Sequence, residues 1–327
     1  MVLKKLAVFM VLSFSLTLSS CASRDAARAE EYFTIGMAFF ELGRFTEAET
    51  WLNRAQAADR TMVASEYNLG RIAYETGRYA DAVSFFERVL AQDPDNVMAL
   101  KAAAYSRIRK GDLEIALGLY ERVLELVPES ADDGFNYALV LYAMERYEES
   151  EEVLDRFPFA LEENPPSLLL LARVYRAQDK PEAIDSYANW LLINDHPNPQ
   201  GIYEYAQVLE ANGFYARAIE QYDDALEALP QNIPTLSRST IRFEKAKLLL
   251  TVDPNNDEGI EEFNTAITDG FSDTEAIQAL VDDERILRVN RDDIQRALDI
   301  ILDRVRAEEE EDNEEEEEGD DDDNEDT

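Results

Sequence analysis

Few side chains in this chain of 327 residues have the types and spacing that catalysis or metal binding needs. His196 is the only histidine, within Asp195-His196-Pro197, and Cys21 is the only cysteine. A zinc site built from Cys and His needs three or four ligands, and a catalytic nucleophile needs a positioned base within reach. Neither residue meets these requirements, and one cysteine forms no internal disulfide. The sequence therefore predicts no enzyme, no metal site and no cofactor.

Other motifs for metal binding, phosphate binding or catalysis are incomplete or missing. Residues 253–259 resemble a calcium-binding loop, but the glycine comes one place late and Asn264 stands where the chelating glutamate belongs. This segment is interpreted as an ordinary turn. The chain also has no glycine-rich phosphate loop and no Gly-x-Ser-x-Gly motif.

The charge is strongly acidic, with 70 Asp and Glu against 31 Lys and Arg and a formal net charge of −39. Residues 308–327 hold 16 acidic groups and no basic group, which predicts a disordered acidic tail. The remaining chain from residue 21 to residue 307 still carries −25. Affinity for nucleic acid comes largely from basic groups on phosphates, so no nucleic-acid partner is expected.

The first twenty residues have the pattern of a signal peptide. Lys4 and Lys5 precede an apolar run from Leu6 to Leu18 that is too short to span a bilayer. The run ends in Leu18-Ser19-Ser20-Cys21, which resembles a bacterial lipobox. The resemblance implies cleavage before Cys21, lipidation of its sulfur and acylation of the new amino group. It also implies a lipid-anchored protein at the bacterial cell membrane or outer membrane that faces the periplasm, with 21–28 as the tether.

The chain is organised by a repeated amphipathic hairpin, seen most clearly in Glu66 to Pro94. Two stretches with helical spacing of apolar residues are separated by Gly77, and Pro94 ends the second. A step of 34 residues reproduces this pattern. In the second helix a small residue recurs at Ala48, Ala82, Ala116, Ser150, Ala183 and Ala218. A large apolar residue follows four places later at Leu52, Phe86, Tyr120, Leu154, Tyr187 and Tyr222, and in the fifth unit both residues come one place early.

These positions resemble the tetratricopeptide repeat (TPR), whose signature also has a small residue in the first helix, here Gly36 and Gly70 and alanines in later units. The resemblance implies an all-α fold, a right-handed TPR superhelical solenoid of about seven helical hairpins with a C-terminal helical cap. The predicted array covers 29–273, the cap covers 274–307 and the tail covers 308–327. Unit starts are expected near residues 29, 63, 97, 131, 165, 199 and 240.

In TPR proteins the first helices line a concave groove that holds partner segments. By offset, the resemblance places aromatic and basic residues in that groove. Arginine binds carboxylates and aromatic rings anchor interfaces, so the expected partner is a protein or peptide segment with acidic and apolar groups. The residues are Phe33, Phe40, Tyr67, Arg71, Tyr74, Lys101, Tyr105, Arg109, Tyr142, Arg173, Arg176 and Tyr203.

The interpretation that follows is a membrane-anchored scaffold or adaptor on the periplasmic side. Two alternatives stay open, a TPR subunit of a solute-uptake system that handles a small organic ligand and a component of outer-membrane assembly. A carboxylate clamp known in some TPR proteins is matched only at Lys101 and Asn136. Packing between repeats, rather than partner binding, is the alternative role for the groove residues.

Overall fold

The computed structural model describes residues 24–158, 164–230, 236–255 and 257–321, and for 308–321 it describes the backbone only. The predicted signal peptide and the predicted lipidation site Cys21 lie outside the described residues. All regular structure in the described parts is helical, in agreement with the all-α prediction. In these same parts no helix is both long and apolar enough to cross a membrane.

The chain divides into two compact units, Met1–Leu161 and Glu162–Thr327. In the described part of the first unit, eight helices form four hairpins, and each hairpin packs against the next. The helices are α1 (24–41), α2 (Phe45–Ala58), α3 (Val63–Glu75), α4 (Tyr79–Gln92), α5 (Val97–Lys110), α6 (Leu113–Leu126), α7 (Ala131–Ala143) and α8 (Tyr147–Asp155).

The second unit has eight described helices that also pair in chain order. The helices are α9 (Pro165–Ala177), α10 (Glu182–Ile193), α11 (Pro199–Ala211), α12 (Tyr215–Ala228), α13 (Arg238–Val252), α14 (Asp257–Thr268), α15 (Thr274–Asp282) and α16 (Arg288–Asp321). Helices α13 to α16 share one apolar core, so the cap is packed against the last hairpin of the array.

Two local signals with the 34-residue period set the helix ends. Side-chain oxygens accept hydrogen bonds from the backbone N–H three residues later and so satisfy the free N–H groups at the helix start. Between the helices of each of the first six hairpins, one residue has a positive φ that ends the first helix. The capping residues are Asn96, Ser130, Asn164 and Asn198, and the positive-φ residues are Gly43, Gly77, Gly111, Glu145, Asp179 and Gly213.

The small and large residues of the repeat signature lie in the core. All six small residues of the second helices are at most 1% exposed, and their six large partners are at most 3% exposed. Gly36 and Gly70 lie against Leu52 and Phe86, where a Cβ atom would come within 2.9 and 2.7 Å of the partner side chain. The glycines therefore permit the close approach of paired helices that the repeat pattern predicts.

The backbone differs from the sequence-based expectation at both ends of the described chain. Residues 24–28, expected in the tether, already belong to α1. The last helix continues to Asp321 through most of the segment that was expected to be disordered. Glutamate is a good helix former, and the segment starts from an already formed helix, so propagation needs no new nucleus.

Candidate functional site

The tyrosines predicted for the groove of the first unit pack across their own hairpins. The ring centroid of Tyr67 lies 5.5 Å from that of Phe86, and the centroid of Tyr74 lies 5.5 Å from that of Tyr79. Tyr105 meets Tyr120 edge-on at 6.0 Å and remains 41% exposed. Each tyrosine thus stabilises its hairpin and presents part of its ring to solvent.

The other predicted aromatic residues of this unit have similar surroundings. Phe33 and Phe40 are half-buried against the first apolar core, and Phe40 contacts Phe45 at a centroid distance of 5.6 Å. Tyr142 lies 5.5 Å from Tyr147. These rings join neighbouring helices, so part of their predicted groove role is packing.

A shallow pocket opens between α3 and α5, with a volume of about 280 Å³. Tyr74 and Tyr105 contribute aromatic walls, and the buried ring of Phe86 lies below them. Arg71 and Glu75 supply the charged groups at this pocket. The pocket therefore brings together three of the predicted groove residues from two successive repeats.

The basic residues of the first unit are not equivalent. Arg71 stacks over the Phe40 ring at 4.4 Å and donates to the Asn68 side-chain oxygen at 2.9 Å. Arg109 lies over the Tyr79 ring at 5.1 Å and donates to its hydroxyl. Rings and neutral oxygens orient both guanidinium groups without cancelling their charge, so a carboxylate would still find them attractive.

Lys101 has a different environment from the one expected for a groove residue. Its ammonium lies 2.7 Å from Asp133, a carboxylate that is 2% exposed and also accepts from the Ser130 hydroxyl. The ion pair links α5 to α7, because a buried carboxylate needs a counter-charge. Lys101 is thereby occupied within the fold, which removes one of the two clamp positions that the sequence matched.

In the second unit, Arg173 is also bound within the fold. It forms an ion pair with Glu204 at 2.8 Å, and Glu204 further accepts from Tyr187 and Gln200. Arg176 donates to the side-chain oxygen of Gln207 at 2.8 Å. These bonds connect α9 to α11, so both arginines join neighbouring repeats.

Tyr203 lies inside the core of the second unit. It is 9% exposed, and burial raises the pKa of its hydroxyl to about 12. Its hydroxyl accepts a hydrogen bond from Gln207. The repeat offset placed Tyr203 on a partner-facing surface, but neighbouring side chains cover it and its role is packing.

One buried charge was not found from the sequence. Lys245 of α13 is 3% exposed and lies within 3.2 Å of three carboxylates, Asp223, Glu258 and Glu262. Burial alone would lower the pKa of Lys245, but the hydrogen bonds to these carboxylates raise it. The partners come from α12 and α14, so only knowledge of the hairpin packing could have identified the cluster. Among the described residues, no group of His, Cys, Asp and Glu is arranged to hold a metal ion.

Comparison with family models decides the class of this fold. A model described as tetratricopeptide repeat matches residues 33–97 and 168–233, once in each unit. This chain therefore contains tetratricopeptide repeats in both units. A second family model, described as anaphase-promoting complex, cyclosome, subunit 3, matches residues 75–157. A search of curated proteins found no match to the sequence.

Solved structures of several other proteins are similar to this chain. A tetratricopeptide repeat protein from Parabacteroides merdae is 18% identical, with a TM-score of 0.57, over 78% of this chain and 98% of the other. YrrB, described as a TPR protein with an unusual peptide-binding site, is 18% identical with a TM-score of 0.50, over 59% and 96%. MamA from Desulfovibrio magneticus is 20% identical with a TM-score of 0.49, over 51% and 94%. The first two similarities support the helical repeat fold.

Proposed function

We propose that this TPR protein is a protein-interaction scaffold whose first unit binds an extended partner segment across α3 and α5. The observation that carries the proposal is the pocket between Tyr74 and Tyr105, whose aromatic walls are partly exposed beside Arg71. Exposed aromatic rings next to arginine are enriched at protein interfaces. The peptide-binding site named for YrrB, a protein of similar fold, supports the same type of partner.

The pocket suits an apolar side chain that is followed by a carboxylate. Its volume of about 280 Å³ accommodates one large side chain between the two tyrosine rings. Arg71 is already stacked on Phe40, so little conformational entropy is lost when it meets a carboxylate. Lys101 is excluded from this role because Asp133 holds it.

Site-specific photocrosslinking tests this proposal in cells. A photoreactive amino acid is placed at Tyr105, and a matched control carries it at Ile115, an apolar residue of α6 that is 50% exposed and lies outside the pocket. We expect a discrete protein adduct from position 105, and we expect Arg71→Glu to weaken it at least fivefold. Equal adducts from both positions, or an adduct that Arg71→Glu leaves unchanged, would contradict the proposal.

We also propose that Cys21 carries the lipid anchor that its sequence context predicts. Several acyl chains would hold the protein stably on a membrane, because each buried methylene contributes about 0.8 kcal/mol. Cells grown with an alkyne-tagged fatty acid should label the wild-type protein but not Cys21→Ser, and the variant should leave the membrane fraction. Labelling that persists in Cys21→Ser would rule out the anchor.

A further inference from the structure

A second pocket, separate from the one between α3 and α5, lies in the second unit where the last repeats meet the cap. It is lined by the end of α11, the start of α12, one face of α13 and helix α15, and its volume is about 530 Å³. Binding sites for small ligands and side chains typically measure about 300–1,000 Å³. The pocket is therefore large enough for more than one side chain of a bound segment.

The pocket has an apolar floor and an apolar rim. Phe243, Leu248 and Leu280 line the floor and are at most 3% exposed. Tyr215 and Val252 line the rim and are 42% and 44% exposed. An apolar group that enters would cover these exposed rim atoms, which favours binding by roughly 25 cal/mol for each Å² removed from water.

The basic groups of the pocket are already neutralised by the protein. Lys247 forms an ion pair with Glu244 and lies 3.7 Å from Glu210. Arg285 lies 2.6 Å from Asp283. An anionic ligand would have to displace these carboxylates before it could reach either cation.

Acidic side chains outnumber basic side chains at this pocket. Five ionised side chains line the pocket, three carboxylates and two cations, so its formal charge is −1. Burial would lower the pKa of Lys247, but the hydrogen bond from its ammonium to Glu244 raises it, so this pairing persists at neutral pH. Residues 21–307, which include the pocket, together carry −25, and this charge attracts cations toward the whole surface.

We infer that the pocket between α11, α13 and α15 binds a partner segment that carries a large apolar side chain next to lysine or arginine. The apolar side chain would lie on the floor formed by Phe243 and Leu280. The neighbouring cation would meet the excess carboxylate among Glu210, Glu244 and Asp283. This preference is opposite in charge to that proposed for the pocket between α3 and α5, where Arg71 would meet a carboxylate of the partner.

Nine short peptides separate the apolar and electrostatic parts of this inference. Fluorescein-labelled five-residue peptides carry Phe, Leu or Ala at the centre, flanked by Lys, Glu or Ser, and binding to the full chain is followed by anisotropy. The Lys-Ala-Lys peptide measures charge attraction to the acidic surface alone. We expect Lys-Phe-Lys to bind at least tenfold more tightly than Lys-Ala-Lys and Glu-Phe-Glu.

Matched variants connect that preference to the pocket. Ala279 is exposed and lines the pocket, so Ala279→Trp should fill it without disturbing the core and should abolish the tenfold advantage. Gln278→Trp places the same side chain at an exposed position of α15 outside the pocket lining and should retain it. In the double variant Glu244→Gln with Asp283→Asn, the preference should shift from Lys-Phe-Lys toward Glu-Phe-Glu.

Three results would overturn the inference. One is equal binding of the Phe-centred and Ala-centred peptides, or no binding of any peptide. Another is an advantage of Lys-Phe-Lys that survives Ala279→Trp. The third is a charge preference that the double variant leaves unchanged. Circular dichroism establishes that each variant remains helical, so that lost binding is not lost folding.

Discussion

Gly70 lies so close to Phe86 that a Cβ atom added to it would stand 2.7 Å from Cε1 of the ring. The ring is 1% exposed and packs against Tyr67, so it has no free space into which it could move. This contact between α3 and α4 closes the hairpin. A side chain at residue 70 would push the two helices apart.

Replacing this glycine tests the close contact. Gly70→Ala should lower the free energy of unfolding by about 2 kcal/mol. Overpacking costs about 3 kcal/mol, and the higher helix propensity of alanine offsets about 1 kcal/mol of that cost. Gly118 is the matched control, since it lies inside α6 with no atom within 4 Å of an added Cβ. Gly118→Ala should raise stability by about 1 kcal/mol. Urea denaturation measures both, and equal signs for the two variants would contradict the packing argument.

The turn residues with positive φ make a second prediction. Glu145 and Asp179 have φ of 60° and 53° at places where other repeats have glycine. A side chain in this region costs about 1 kcal/mol, so Glu145→Gly should stabilise the protein by about that amount. Glu148→Gly, inside α8, should destabilise it by about 1 kcal/mol. Thermal unfolding gives both values, and destabilisation by Glu145→Gly would show that its side chain has a further role.

The hairpin pattern was predictable because it depends on local chemistry. Gly77 and Pro94 mark turns, and the spacing of Ala82 and Phe86 marks a buried helix face. The predicted unit starts at 63, 97, 131, 165 and 199 coincide with the first residues of α3, α5, α7, α9 and α11. Helical continuation to Asp321 was not predicted, because charge repulsion and the helix propensity of glutamate oppose each other in that segment.

The partners of the basic groove residues were much less predictable. Repeat offset places Lys101 and Arg109 on the first helix of the same hairpin, but it does not show that Lys101 meets a buried carboxylate and Arg109 a tyrosine ring. Those partners come from neighbouring helices, and they depend on the side-chain conformations of both repeats. The sequence therefore predicts reliably which residues face the neighbouring helix. It predicts less reliably which of those residues remain available to a binding partner.

The Lys101–Asp133 ion pair leads to a third prediction. Lys101→Met should lower the free energy of unfolding by about 1–2 kcal/mol, because Asp133 is 2% exposed and would lose its counter-charge. The estimate is below the range for fully buried pairs, since Lys101 is itself 35% exposed. Adding Asp133→Asn should recover most of the loss. Arg109→Met is the control and should be as stable as the wild type. If Lys101→Met is also as stable as the wild type, the ion pair does not stabilise the fold and Lys101 remains available to a partner.

The acid stability of the turn between α5 and α6 is a fourth prediction. The hydrogen bond from Arg107, followed by that from Lys110, lowers the pKa of Asp112 below its ordinary value of 3.8. The folded state therefore favours the ionised carboxylate. This contribution is complete well above pH 3.8, and it is lost as the pH falls through the lowered pKa of the folded state. Asp112→Asn keeps the shape of the side chain but removes its titration.

The measurement compares wild type and Asp112→Asn by urea denaturation between about pH 8 and about pH 3, which covers the acid limb of such a titration. The wild type should be more stable by a constant amount above about pH 5, and the difference should shrink below pH 3.8. All other carboxylates, including those after residue 307, are present in both proteins and cancel in the difference. A difference that stays constant to the lowest pH would mean that the ionised form of Asp112 is not what Arg107 and Lys110 stabilise.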